Sequence, residues 1–204
     1  MKLQNPFSAL GPTGIDSQLL TVLARTTRVL SAAEIHRLLP EQGSLRAVHD
    51  GLRRLEAHGV LQGHSIGRSV GYQLNRDHVL APAVALIADA KMEVFRRLRA
   101  MAAAWEVQPV VMYVFGSTAR DDMRTDSDID LLVVFPDGAP DDIVENQLSA
   151  LSEGVWAWTG NEPRPLLLRV SEVTPSGVME SVEREGAIVV GDPQWLRRRL
   201  RALA

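Results

Sequence analysis

The sequence predicts an α+β chain of two units: three helices and a hairpin, then a long connecting helix, then a mixed sheet flanked by helices. Three observations carry this reading. Apolar residues in 15–58 recur at the three-and-four spacing of helices, whereas 110–115 and 129–135 are continuous apolar runs of strand length. Charge divides between the halves: residues 1–79 hold nine Lys or Arg against six Asp or Glu, and residues 80–204 hold thirteen against nineteen. With 204 residues the chain has room for two modest cores, and the composition break sets units at 1–79 and 107–204 with a connecting helix at 80–106.

In the first unit, residues 15–26 place Ile15, Leu19, Leu20, Val22 and Leu23 along one helix. Ser31 caps a second helix, 32–39, and Glu34 three positions on completes a capping box. Pro40 and Gly43 mark the turn. Ser44 caps a third helix, 45–58, with Leu45, Val48, Leu52 and Leu55 as its buried stripe and Gly59 as its end. The opposite flank presents Arg46, His49 and Arg53 at spacings of three and four, with Arg54 adjacent. Residues 60–61 and 70–74 read as short strands joined by a wing, 64–69, with Arg68 near its tip.

Arginine and histidine on such a flank suit the phosphates and base edges of double-stranded DNA, arginine having the better bidentate geometry for guanine. They also suit a solvated surface or a protein contact. The net positive half is the one fitted to a polyanion. All five histidines lie there, without the close spacing of a zinc motif.

Residues 80–105 read as one long helix, with Val84, Ile87, Val94, Leu98 and Met101 tracing an apolar stripe that Lys91 interrupts, and Pro82 in the first turn. Such a helix packs within its own chain or against a second copy. A homodimer would present two third helices to a palindrome.

The second unit holds the most informative stretch, 110–134. A buried strand, 110–115, breaks at Gly116-Ser117 into a turn and a short helical segment with Ala119 and Arg120. A second strand, 129–135, follows. Asp128 and Asp130 flank Ile129, so the period of two points both carboxylates to one side. Such a pair suits Mg²⁺ or Mn²⁺, hard cations held by carboxylates together with substrate phosphates. Gly116 permits close backbone approach to a phosphate, and the Ser117 hydroxyl and following amides can bind its oxygens. Further on, a helix is expected over 143–158, ended or interrupted near Gly154, then a strand at 166–170, a helix at 175–184, a strand at 187–190 and a basic helix at 195–203. Trp156 and Trp158 either line a base pocket or complete a core.

The order strand, Gly116, Ser117, Thr118, Ala119, Arg120, polar spacer, Ser127, Asp128, Ile129, Asp130, Leu131, Leu132, strand resembles the signature of the minimal nucleotidyltransferases of the DNA polymerase beta superfamily. The resemblance spans residues 107–192. It implies that Gly116 and Ser117 bind the triphosphate of ATP or another nucleotide, that Asp128 and Asp130 bind metal and carry catalysis, and that a nucleoside monophosphate passes to a hydroxyl. Arg120 would steady the phosphates or pair with a nearby aspartate. Active members place a third acid on the strand after the intervening helix, yet 166–170, LLLRV, carries none; Glu162 precedes it and Glu172 follows.

Residues 52–74 resemble winged-helix transcription regulators: recognition helix, turn, strand, basic wing, strand. Together the two resemblances imply a DNA-binding regulator or antitoxin-like protein with a nucleotidyltransferase domain, and a protein partner such as a toxin. The alternative is a non-enzymatic regulator whose second unit senses a nucleotide or mediates assembly. The absence of cysteine excludes disulfides and thiol catalysis. No signal peptide and no apolar run long enough for a membrane span are evident, so a cytoplasmic location is expected.

Overall fold

Capping serines start two of the helices of the first unit. The computed structural model describes residues 1–10, 14–41, 43–67 and 69–203. It separates into two compact units, Lys2–Lys91 and Met92–Ala204 with Met1. After a short 3₁₀ turn at Pro6–Ala9 come α1 (Ile15–Ala24), β1 (Leu30–Ser31), α2 (Ala32–Arg37) and α3 (Leu45–Ala57). The Ser31–Glu34 box forms as expected: the Glu34 amide donates to Ser31 Oγ at 3.3 Å and the Ser31 amide to Glu34 Oε2 at 2.8 Å. Ser44 Oγ accepts from the Ala47 amide at 3.1 Å and starts α3.

β2 (Leu61–Ile66) and β3 (Ser69–Leu74) form an antiparallel hairpin, and β1 adds to β3 in the order β1-β3-β2. The arms are longer than expected: residues 64–66, read as wing, pair with 69–71. Gly67, at φ +59°, makes the sharp turn beyond them. Arg68 lies outside the described residues. Leu45 is a second correction: as the first residue of α3 it is exposed, and the buried stripe runs through Val48, Gly51 and Leu52. These pack with Leu19, Leu23, Ile35, Leu61, Tyr72 and Leu74 in one core.

The helical stretch predicted at 80–105 is helical in two pieces, α4 (Ala81–Ala88) and α5 (Ala90–Ala103), with Asp89 between them at φ −90°, ψ 8°. Val84 and Ala88 of α4 join the core of the first unit. On α5, Val94, Phe95, Leu98 and Ala102 are buried.

The second unit continues with β4 (Val111–Phe115), α6 (Gly116–Arg120), β5 (Ile129–Phe135), α7 (Asp141–Thr159), β6 (Pro163–Arg169), α8 (Gly177–Glu185), β7 (Ala187–Gly191) and α9 (Trp195–Arg201). The strand order is β6-β5-β4-β7, with β5 and β6 parallel across α7 and the other pairs antiparallel. The central strands β4 and β5 are apolar except for Asp130, because both faces are covered. On one face Val111, Tyr113, Leu132 and Val134 pack with Met179, Val182 and Leu196 of α8 and α9. Phe135, of opposite parity, stacks on Trp105 at 5.7 Å.

α7 runs unbroken through Gly154, contrary to expectation, and ends at Gly160 with φ +67°. Gly154 marks close packing instead of a break, since a Cβ there would lie 2.8 Å from Met101 Cε. Trp156 is exposed, and Arg97 lies 5.6 Å over the ring of Trp158. The terminal arginines are partly paired within the unit, Arg197 with Glu183 at 2.6 Å and Arg198 with Asp192 at 2.5 Å. Among the described residues no helix is long and apolar enough to cross a membrane.

Gly51 sets how closely α1 meets α3. A Cβ there would stand 2.6 Å from Leu19 Cδ1 and 2.8 Å from Asp16 Oδ1, and Leu19 is fully buried. Gly51→Ala gains about 1 kcal/mol of helix propensity but overpacks this contact by about 1–3 kcal/mol. The expected outcome is a net loss, read as a lower midpoint in urea denaturation; a higher midpoint would show that α1 can recede.

Candidate functional site

The site is built at one end of the second sheet, where β4 finishes and β5 and β6 begin. Antiparallel pairing sets Phe115 opposite Asp130, so the residue after Phe115 turns back over that carboxylate. That residue is Gly116, at φ +65°, and a Cβ on it would sit 2.3 Å from Asp130 Oδ2. Only glycine meets both the left-handed backbone and the close approach. Ser117 is half-buried on α6 beside it.

Asp128 and Asp130 share the face of β5 on which Leu132 and Val134 pack beneath α8 and α9, and lie beyond the edge of that core. Two contacts hold the approach to β5. The Ile129 amide donates to the Glu162 carbonyl at 2.8 Å, and Asn161 Nδ2 donates to the Ser127 carbonyl at 2.8 Å. Asn161 is buried, and its own amide donates to Thr159 Oγ1 at 3.1 Å. No local pattern signals this positioning role, because Asn161 acts across 34 residues of chain.

Electrostatics make the pair a strained one. Asp130 titrates above the ordinary aspartate range, first because burial strips water from it and second because Asp128 carries like charge; Arg164 and Arg120 pull the other way. Arg120 is itself engaged, donating to Asp122 Oδ2 at 3.1 Å and to Glu185 Oε1 of α8 at 2.8 Å. Of its two expected roles, these contacts match pairing with acids.

The strand expected at 166–170 begins three residues earlier, at Pro163, and still brings no acid. In parallel register Arg164 stands opposite Asp130, and its Nη2 forms an ion pair with Asp128 Oδ2 at 2.9 Å. The face where a third carboxylate is expected therefore presents a guanidinium. Glu172 lies past the far end of β6, where its Oε2 accepts from the Arg169 amide at 2.6 Å. Glu162 is at the near end and exposed. Among the described residues no group of three or more His, Asp or Glu could hold a metal. The donor set fits one hard ion completed by phosphate oxygens and water, and does not fit a pair of ions.

Residues 96–161 match the family model described as a nucleotidyltransferase domain. The second unit contains a nucleotidyltransferase-like domain. The match ends at Asn161, before β6 and Arg164. No curated protein matches the chain. Among solved structures, a toxin–antitoxin with AMP-PNP aligns at 16% identity over 53% of this chain and 82% of that one, with a TM-score of 0.40. The tri-AMPylated Shewanella oneidensis HEPN toxin in complex with MNT antitoxin aligns at 15% identity over 55% and 82%, with a TM-score of 0.39.

On the first unit, Arg46, His49, Arg53 and Arg54 all lie exposed on α3. They are not equally available. Arg54 donates to both carboxylate oxygens of Asp16 on α1, at 2.9 and 2.6 Å, and Arg53 pairs with Asp50 at 2.6 Å. Arg46 and His49 form no ion pair with a described residue.

Because the folded-state pKa of Asp130 is raised, its ionisation opposes folding: the cost is absent while the group is protonated in acid and is imposed as pH rises through the folded-state value. Asp130→Asn is therefore expected to raise Tm at pH 7, with the gain shrinking as pH falls from the raised folded-state value toward the ordinary aspartate value and no further change below it. Thermal melts across pH check this. A Tm that falls at pH 7 would mean that the carboxylate has stabilising partners in the folded state.

Proposed function

We propose that the second unit binds a nucleoside triphosphate with one divalent cation, Mg²⁺ or Mn²⁺, and that the first unit is a winged-helix module that binds double-stranded DNA. One observation carries the first reading: the glycine backbone lies against Asp130 while Asp128 shares the same face, a carboxylate pair beside an open backbone turn. Gly116 and Ser117 would receive phosphate oxygens, and Asp128 and Asp130 would hold the cation, which neutralises phosphate charge when bound.

Transfer, where it occurs, joins an acceptor hydroxyl oxygen to the α-phosphorus as the bond to the bridging oxygen breaks. Pyrophosphate departs, and the hydroxyl proton passes to water. The isolated chain lacks the third acid that would hold a second ion or take that proton, so we assign it strong binding and weak transfer. A protein partner that supplies the hydroxyl fits both the antitoxin resemblance and this incomplete donor set.

Calorimetry with AMP-PNP and Mn²⁺ tests the site. Wild type is expected to bind at least tenfold more tightly with metal than in chelator, and the Asp128→Asn, Asp130→Asn double variant to lose that metal-dependent gain, roughly the loss of one charged hydrogen bond or more. Equal binding by the two proteins would remove the site.

The second reading rests on the exposed α3 flank and the excess of basic over acidic residues in 1–79. Fluorescence anisotropy with duplex genomic fragments should show affinity falling as salt rises. Changing Arg46 and Arg53 to alanine should weaken binding about tenfold and lower the salt slope by about 2 if both meet phosphates. An unchanged slope would move the DNA surface elsewhere.

A further inference from the structure

Among the described residues, Arg164 is the cation that forms an ion pair with the carboxylate pair. Its guanidinium meets Asp128 Oδ2 at 2.9 Å, with the Arg164 side chain 63% exposed and that of Asp128 23% exposed. The backbone beneath it is fixed by register with Asp130 and by Pro163 and Pro165 on either side, whose φ angles are locked by their rings. A tethered stem with an exposed head can reach alternative partners without moving the strand. An arginine also stays charged at any ordinary pH, and its planar fork matches phosphate as well as carboxylate.

We propose that Arg164 is a built-in counter-cation that competes with divalent metal for Asp128 and yields to it when a triphosphate arrives. This rests on the nucleotide site proposed above. Without nucleotide, the guanidinium covers the oxygen that a metal ion would need, so the ion alone binds weakly. An entering phosphate offers Arg164 a second anionic partner, and the guanidinium moves onto it. Asp128 Oδ2 is then released toward the cation. Metal and triphosphate therefore bind with positive coupling, each favouring the arrangement the other needs. The same positive charge does for the phosphates part of what a second ion would do, at the place where a third carboxylate would otherwise hold that ion.

The coupling predicts opposite signs for one substitution. In Arg164→Gln, Mn²⁺ alone, followed by electron paramagnetic resonance of the free ion, should bind roughly two- to fivefold more tightly than to wild type, the scale of an exposed ion pair. A fluorescent ATP analogue in the presence of chelator should bind roughly tenfold more weakly, the scale of one charged hydrogen bond. Arg164→Asp, which adds an acid, should bind Mn²⁺ alone more tightly still. Circular dichroism melts check that the variants are folded. An ion pair that only braces the strand would not move the two affinities in opposite directions; equal or same-direction changes would overturn the role of Arg164 while leaving metal-dependent nucleotide binding by wild type intact. If wild type binds neither Mn²⁺ nor the analogue, with or without the other, the nucleotide site itself falls and this inference with it.

Discussion

Two like charges placed side by side at the margin of a buried sheet must be neutralised, and the second unit is arranged around that requirement. Burial and mutual repulsion both disfavour ionised Asp130. Neither carboxylate can swing away cheaply, because Asp130 is carried by β5, whose residues from Asp130 through Val134 pair with both neighbouring strands, and Asp128 stands one residue before that strand. The fold counters the charge with cations from two directions, Arg164 on β6 and Arg120 on α6. It also brings the side-chain-free backbone of Gly116 against the carboxylate. An ion bridging the pair would replace repulsion by attraction, which is why an apparent defect in stability reads as a binding site.

The edge position of β6 decides how far that chemistry goes. A central strand could not carry Pro163 and Pro165, whose missing N–H groups would break a ladder, but an edge strand needs only one side to pair. Those prolines hold Arg164 at the level of Asp130. The result is a guanidinium at the corner where a third carboxylate is expected, and under the proposed function it would separate nucleotide binding from efficient transfer. Fold and family likeness alone would not reveal that separation.

The first unit shows the same economy of charge in a milder form. Arg54 serves the packing of α1 on α3 through its two-pronged contact with Asp16, near the point where Gly51 lets the helices close. Arg53 is shared with Asp50 on its own helix. The flank therefore presents a graded set: Arg46 and His49 open, Arg53 loosely held and Arg54 committed. Periodicity treats all four alike; their partners do not.

Elements whose cause is local are legible in the order of residues alone. The Ser31–Glu34 box, the Ser44 cap, the length of β5 and the same-side placement of Asp128 and Asp130 all follow from spacings of two to four residues, within which side chain and backbone dictate one another. Tertiary structure decided whatever depends on a distant neighbour. Gly154 reads as a helix breaker until Met101 fills the space beside it, and a run of helix through 80–105 divides at Asp89 with α4 buried against one core and α5 belonging to the other unit. The prolines that hid the start of β6 are tolerated only because that strand lies at the edge. Arg164, 36 residues from Asp128 in the chain, becomes its counter-ion through a parallel register that the intervening helix makes possible. Local spacing carries no information about such a pairing, since it arises only when the crossover brings β6 beside β5.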